Sequence, residues 1–590
     1  MLRIRRLRTG RERTEAAALL AAAGLRMPEG LDALYGALEG DALRGCGGRR
    51  GGVICGLAVR EDGRGEGVMS ALLSEIVAEL RQDGHERIFV FTRPESAARF
   101  SSLGFHLLAA TEAAALLENR RDGLARWLSA LPGAQTANNG AIVINGNPFT
   151  LGHRHLAREA AARCETLYLF VLSEERSRFT FQERLAMARE GTADIANVHV
   201  LPGGPYCISQ ATFPDYFLKR ADAASRVCAE LDATLFAGSI APALGIRVRF
   251  AGEEPLDPAT AQYNAAMARA LPRAGLRFCE LPRLCAGGAP VSASRLQQRL
   301  DAPDFSSAAA LAPESTRPYL IGRLAVEALT AEAEATPKPG LVDQNNGGAH
   351  EDMNLPLLKR SAAALGPFFA RFAALGQAEA GLPLEGRLAP LRASGMEAER
   401  AMLAASGGVN THRGAIFTLG MLCYLAGRGP STEPAGLCAA AARLCAGLTA
   451  ELPEAASHGG RAWSAHGARG ARGEAEDGYP TLLRVALPAY EGELARGATD
   501  NDALTWALMA LIAATEDTNL LHRGGAAGAA YARQAAADFL AAYDPLRAGY
   551  AEALRALDED FISRRLSPGG AADLLAAARF LHFMRSRPDA

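Results

Sequence analysis

Runs that read as strands alternate with runs that read as helices as far as LRFCELPR (276–283), and then stop. From about residue 317 to the end the chain is Ala/Leu-rich and helical in period, interrupted by short Gly-rich polar knots. This switch limits the possible folds more than any single motif does. Before it, AIVIN, TLYLFVL (166–172), NVHVLPG (197–203), ATLFAG (233–238), RVRFAG (247–252) and LRFCELPR read as strands, with QERLAMAREGTA (182–193) among the helices between them. Such spacing predicts a parallel α/β sheet. After it, an all-α domain is expected.

A second boundary falls at LPGAQTANNG (131–140), a turn-rich stretch. Ahead of it, GGVICGLAVR and ERIFVFTR read as strands around a helix in GEGVMSALLSEIVAELRQDG, and Leu2, Ile4 and Leu7 suggest a first strand with Thr14 capping the first helix. The expected layout is multidomain: 1–135, an α/β domain; 136–316, a Rossmann-like parallel α/β domain; and 317–590, all-α, joined through DAPDFSSAAALAPEST (301–316). At 590 residues, that is fewer and larger domains than the roughly 150-residue average suggests.

Composition excludes several function classes. A formal net charge of −2 advertises neither nucleic acid nor an anionic membrane as partner. The ten cysteines are scattered with no Cys-x-x-Cys pair, which argues against a zinc site or a disulfide framework and for a reducing, cytoplasmic setting. The basic, then Ala/Leu-rich N-terminus imitates a leader peptide, but Arg11, Glu12, Arg13 and Glu15 interrupt it. No run is expected to reach the roughly 20 apolar residues of a membrane span.

The chemistry-bearing motifs follow. Asn147-Pro-Phe-Thr150-Leu-Gly152-His153 sits between a strand and a helix. Thr150 and His153 are one helical turn apart, Gly152 leaves room for a nucleotide, and the helix start favours phosphate. This stretch resembles the [His/Thr]-x-Gly-His signature of the nucleotidyltransferase superfamily, and VSASR (291–295), with Ser292, Ser294 and Arg295, resembles its second, β,γ-phosphate signature. Gln297 stands where that signature usually has a basic residue; Arg295 or Arg299 is the alternative source of charge. With RFTFQERL, GPYCIS, ATFPDYFLK and GEEPLDPATAQYN (252–264), the region is similar to citrate lyase ligase. That resemblance implies ATP-dependent acetylation, by acetate through acetyl-adenylate, of the thiol on the citrate lyase acyl carrier subunit. Arg176, Arg178 and Lys219 are further candidate phosphate or carboxylate partners.

The loop Arg64-Gly-Glu-Gly-Val-Met69, with PESAARFSSLGF (94–105), resembles GNAT-type acetyltransferases, whose loop binds acetyl-CoA pyrophosphate; Met69 departs from the small residue expected last. A non-catalytic docking domain is the alternative.

In the helical third, five knots pair Gly with charge: 336–353, 407–417, 466–480, 515–525 and 567–573. Facing helix ends and inward carboxylates build polar sites in bundles, so a shared site is expected. In order and content the knots resemble the triphosphoribosyl-dephospho-CoA synthase family. The resemblance implies that the 2′-hydroxyl of 3′-dephospho-CoA attacks the ribose C1′ of ATP and releases adenine. Lys338, Arg413, Arg469, Arg472 and Arg523 are the candidate triphosphate cations, and Asn410 and His412 further nucleotide contacts. Glu474, Glu516 and Asp517 are the expected catalytic carboxylates and Asp343 and Glu476 the expected Mg²⁺ ligands, a division between base and metal ligand that sequence leaves open. His350, His412 or His522 would assist adenine's departure. The alternatives are a pantetheine-phosphate-type adenylyltransferase in the first half, or the equivalent accessory enzyme of malonate decarboxylase.

Overall fold

The computed structural model describes residues 2–585 apart from 64, 175–176, 209–212, 219–223, 430–431 and 451–467. Two compact units emerge: Met1–Asn147 with Gly152–Pro290, and Pro148–Leu151 with Val291–Ala590. The segment that carries VSASR thus packs with the helical unit.

The first unit contains two sheets. One comprises β1 (Leu2–Arg6), β2 (Ala33–Glu39), β3 (Ala42–Arg50), β4 (Val53–Val59), β5 (Phe89–Thr92), β6 (His106–Ala110) and β7 (Ala115–Glu118), in the order β1-β2-β3-β4-β5-β7-β6. It is antiparallel except at β4/β5. Its first helix, Gly10–Ala22, is capped by Thr9 rather than by Thr14. The Thr9 hydroxyl accepts the Glu12 N–H at 3.3 Å, and the Glu12 carboxylate accepts the Thr9 N–H at 2.9 Å. A Glu three residues after the cap completes this reciprocal box; Thr14, inside the helix, donates to the Gly10 carbonyl instead.

The second sheet, β8 (Asn139–Ile144), β9 (Thr166–Val171), β10 (Val198–Pro202), β11 (Ile246–Gly252) and β12 (Arg277–Leu281), has the order β10-β9-β8-β11-β12. Every pairing in it is parallel, as the alternation of strands and helices predicts. ATLFAG is not a strand. It ends the helix Ala224–Leu235 and continues as a π-helical turn over Phe236–Ile240. A short, fully buried apolar run satisfies either geometry, and here the helix to its N-terminal side decides. The whole run Ala224–Leu244 is long and apolar enough to span a membrane, contrary to expectation, but 61% of its 18-residue apolar window is buried, as in a core helix.

The GPYCIS–ATFPDYFLK block explains how the two sheets share one core. Phe89, Phe91 and Trp127 from the first α/β domain pack with Tyr206, Phe213 and Phe217. Phe91 and Phe213 meet edge to face at 5.6 Å, as do Phe89 and Tyr206 at 5.8 Å. The Tyr206 hydroxyl donates to the fully buried Glu118 carboxylate at 2.9 and 3.0 Å, and burial raises the Glu118 pKa. Strands β4 and β5 pair only at Val53–Phe89 and Ile54–Val90. Beyond that point, the Tyr216 hydroxyl bridges them, donating to the Phe91 carbonyl at 3.0 Å and accepting the Gly56 N–H.

In the second unit the helices Arg317–Glu334, Leu355–Ala378 and Arg413–Arg428 form the packed centre, with Gly569–Met584 against the first and third. Small residues set how closely they approach. A side chain at Gly376 would meet the Tyr424 carbonyl at 1.9 Å, and one at Gly427 the Ala373 carbonyl at 2.0 Å. The Ala/Gly richness of this third is therefore a packing requirement.

Replacing Tyr206 with Phe leaves the buried Glu118 carboxyl without its hydroxyl partner. The expected cost is about 1–3 kcal/mol of stability in the first unit, measured by urea unfolding. A loss below about 0.5 kcal/mol would mean that this pair does not hold the seam.

Candidate active sites

At the carboxyl edge of the parallel sheet, where open α/β folds bind ligands, the loops after β8 and β9 are held by one buried side chain. Arg184, fully buried on helix Phe181–Gly191, donates to the carbonyls of Asn145 and Leu172, each at 2.8 Å, and of Phe179 at 3.2 Å. It also bonds the Glu174 carbonyl and, at 2.8 Å, Asn145 Oδ1. The Asn147 side chain accepts the Phe179 N–H at 3.1 Å. Sequence reasoning missed Arg184; RFTFQERL carries it, but nothing in its spacing separates a buried fork from a surface charge.

Gly152 and His153 occupy the first turn of the helix Leu151–Ala161. Burial, and secondarily the charge of Arg283, lowers the His153 pKa to about 4. The imidazole is therefore neutral near pH 7, a hydrogen-bonding group rather than a cation. Arg283, also missed, is held by Glu254 and the Glu253 carbonyl, which accounts for part of the GEEPLD motif. Thr150 belongs to the second unit and is buried. In that unit Ser292 caps helix Ala293–Leu300, its hydroxyl oxygen accepting the Arg295 N–H at 3.2 Å, with Ser294 and Arg295 in the first turn. Arg178 is half-buried, while Arg176 and Lys219 lie outside the described residues.

In the N-terminal glycine loop, Arg64 likewise lies outside the described residues. Helix Val68–Gln82 starts at Gly67 in the left-handed region. The loop ahead of it is acidic: Arg44 pairs with Asp62 at 3.0 Å and with Glu66 at 3.4 Å.

Within the helical unit, a cavity of about 940 Å³ is lined by residues from all five knots. Lys338, Asn410, His412, Arg413, Arg469, Arg472, Glu474, Glu516, Asp517 and Arg523 line it, with His350 and His522. The Arg523 guanidinium donates to the Ala349 carbonyl at 2.9 Å and contacts His350 Nδ1 at 3.0 Å; His350 Nε2 lies 2.8 Å from Ser567 Oγ. That chain ties three knots together. Buried Lys338 pairs with Glu332 at 2.5 Å. Asp517 accepts the N–H groups of Asn519 at 2.8 Å, Leu520 at 3.2 Å and Ala571 at 2.9 Å, so it fastens the starts of two helices. Glu474 accepts the Thr481 hydroxyl at 2.5 Å, and Asn410 caps Arg413. His412 is 4% exposed; its Nδ1 lies 3.0 Å from Ser361 Oγ, and its Nε2 has no hydrogen-bond partner among the described residues. Burial and the Lys338 charge lower its pKa to about 4.

Asp343 and Glu476, expected as metal ligands, do not line the cavity. Asp343 closes a local turn, accepting the N–H groups of Lys338, Asn345 and Asn346. Glu476 is taken up by Gly447, Thr449 and Arg469. No group of three or more His, Cys, Asp or Glu side chains that could hold a metal ion occurs among the described residues. Four acidic cavity residues were missed: Glu332, in the last turn of helix Arg317–Glu334, and Asp352, Asp477 and Asp573, each inside a knot.

The loop-bearing carboxyl edge of a parallel sheet and a polar cavity in a helical bundle fit a two-part enzyme, a ligase joined to a transferase. Comparison with known proteins makes both parts specific. Residues 15–105 match the acetyltransferase (GNAT) family, 139–320 the citrate lyase ligase C-terminal domain, and 318–589 the ATP:dephospho-CoA triphosphoribosyl transferase family. The [citrate [pro-3S]-lyase] ligase of Klebsiella pneumoniae is 39% identical over 289 residues, 47% of this chain and 84% of the relative. A probable 2-(5''-triphosphoribosyl)-3'-dephosphocoenzyme-A synthase of Albidiferax ferrireducens is 43% identical over 270 residues, 44% of this chain and 89% of the relative. The synthase of that name from Klebsiella pneumoniae is 44% identical over 265 residues, 43% and 87%. The chain belongs to both families, as a fusion: citrate lyase ligase in its first half, triphosphoribosyl-dephospho-CoA synthase in its second.

The depressed His412 pKa has a thermodynamic consequence. Between about 6.5 and about 4 the unfolded chain takes up a proton at this histidine and the folded one does not. Stability from this group is therefore present above pH 6.5 and lost as pH falls toward 4, on the order of 3 kcal/mol in all. Urea unfolding of the second unit at pH 7.5 and 4.5 is expected to show a smaller acid loss in His412→Gln than in wild type. Equal losses would mean that the imidazole is not held neutral.

Proposed function

We propose that this chain prepares citrate lyase in two steps, making the precursor of its thiol-bearing prosthetic group and later acetylating that thiol. The reading is carried by the coincidence of each family match with a separate site: the edge of the parallel sheet for one, the five-knot cavity for the other.

In the ligase reaction the acetate carboxylate attacks the α-phosphate of ATP, pyrophosphate leaves, and the thiol of the acyl carrier subunit takes the acetyl group from acetyl-adenylate, releasing AMP. Asn147, Thr150, Gly152 and His153 are assigned to the α-phosphate, and Ser292, Ser294 and Arg295 to the β,γ-phosphates. A neutral His153 donates a hydrogen bond to charge that develops on the phosphate, and Arg283 supplies a nearby positive charge; positioning and electrostatics carry such a step. Arg184 is a positioning residue that acts through the two loops it binds.

In the synthase reaction, Lys338, Arg413, Arg472 and Arg523 are assigned to the triphosphate, with Arg469 at the rim, and Glu516 to the hydroxyl of 3′-dephospho-CoA. Asp517 and Glu474 bond backbone and side-chain donors of their own knots, which supports positioning roles for them. Among the described residues no group of three His, Cys, Asp or Glu side chains makes an all-protein metal centre, and the carboxylates of Asp343 and Glu476 are taken up by hydrogen bonds. Mg²⁺ is proposed only as a counter-ion carried by the phosphates, its usual mode with nucleotides. The acidic glycine loop and the Tyr216 bridge between β4 and β5 support a scaffold role, without acetyl transfer, for the N-terminal domain.

Nucleotide products resolved by chromatography test the reading. AMP and pyrophosphate are expected with acetate and deacetylated citrate lyase, and free adenine with dephospho-CoA; ADP or adenylylated pantetheine phosphate would overturn it. His153→Ala is expected to abolish AMP formation while adenine release stays within about twofold of wild type, since the two sites share no catalytic group.

A further inference from the structure

Asp573 sits one turn into helix Gly569–Met584, in the wall of the five-knot cavity. Its carboxyl packs against Gly414 so tightly that a Cβ there would lie 1.9 Å from Oδ2, and it accepts the Ala415 N–H at the start of helix Arg413–Arg428. The charged groups that face it are both acidic. Glu332 approaches from helix Arg317–Glu334, already paired with Lys338, and Asp517 from ahead of helix Thr518–Ala542. Two residues before Gly414, His412 lines the same cavity with a buried Nε2 that has no hydrogen-bond partner among the described residues, a polar atom placed for a ligand. A heteroaromatic base whose ring nitrogens accept hydrogen bonds suits that neighbourhood. Glu516 is exposed in the cavity lining, where a proton can pass on to water.

We propose that Asp573 is the catalytic acid of the triphosphoribosyl transfer, delivering a proton to the adenine ring as the C1′–N9 bond breaks. Burial and the two neighbouring carboxylates raise its pKa well above the usual range, which keeps it protonated for this role. The step balances. The electron pair of C1′–N9 passes into the purine, the Asp573 proton arrives at N7, and neutral adenine departs. The 2′-hydroxyl oxygen of the acceptor bonds to C1′, its proton goes to Glu516 and on to water, and Asp573 is reprotonated from solvent for the next turnover. This rests on the synthase reading of the second half, so adenine release by the wild-type chain is the first measurement; if none occurs, that reading fails rather than this assignment.

The test compares ATP with N7-methyl-ATP, whose base leaves as neutral 7-methyladenine without a proton, in single turnovers of the full chain with dephospho-CoA. Asp573→Asn keeps the shape and the capacity to accept from Ala415. It is expected to slow adenine release from ATP by about 10²–10⁴-fold while leaving release of 7-methyladenine within a few-fold of wild type. An Asp573→Asn chain that handles ATP at the wild-type rate, or that loses both substrates equally, would overturn the proposal. A second measurement needs no variant. The wild-type rate with ATP is expected to fall as pH rises through the Asp573 titration, a limb that is absent with N7-methyl-ATP. The same limb with both substrates, or N7-methyl-ATP reacting no faster than ATP, would equally rule the acid role out.

Discussion

The second site depends on one carboxylate. Asp517 accepts backbone N–H groups from the first turn of helix Thr518–Ala542 and from the first turn of helix Gly569–Met584. Each helix start presents donors that its own ladder cannot satisfy. Sharing one carboxyl between two such starts pins two knots at a fixed separation and places Asp573 opposite Gly414. Burial raises the Asp517 pKa and the N–H donors oppose that rise, so this carboxyl is held in place by backbone donors.

The first unit solves the same problem with opposite polarity. Loops at the carboxyl edge of a parallel sheet end in carbonyls that need donors, and the Arg184 guanidinium supplies several from one rigid fork. Lysine could reach one or two of those carbonyls but not carbonyls from both loops in one plane. In each unit a buried, fully engaged polar group fixes loops whose other side chains remain available for substrate, which is what a preorganised site requires.

These arrangements also account for what sequence could and could not reveal. The knots were legible because turns, caps and phosphate contacts draw on the same residue types, and the cavity does gather side chains from all five. For that same reason sequence could not separate roles within a knot. Asp343 and Glu476 look like metal ligands in sequence, but the Asp343 carboxylate closes a turn and that of Glu476 accepts from Gly447, Thr449 and Arg469; Asp573 looks like one more N-terminal-turn acid until Gly414 is found beneath it. Glu332 left no trace because a buried acid inside an amphipathic helix has no spacing of its own. ATLFAG misled because a short apolar run carries burial information but no period.

The N-terminal domain extends the argument from sites to domains. Its sheet has a place where parallel strands part after two residue pairs, and such a place presents unpaired backbone groups. Tyr216, from the neighbouring sheet's loop, satisfies Gly56 and Phe91 across that gap, while Phe213 and Phe217 fill the apolar space beside it. A hydroxyl bonded on both sides inside a packed aromatic cluster is expensive to withdraw, because leaving would strand two backbone groups as well as itself. Tyr206, Phe213, Tyr216 and Phe217 of the GPYCIS–ATFPDYFLK block therefore join two sheets, because each places an aromatic ring or a hydroxyl where the two sheets would otherwise leave apolar space or unpaired backbone.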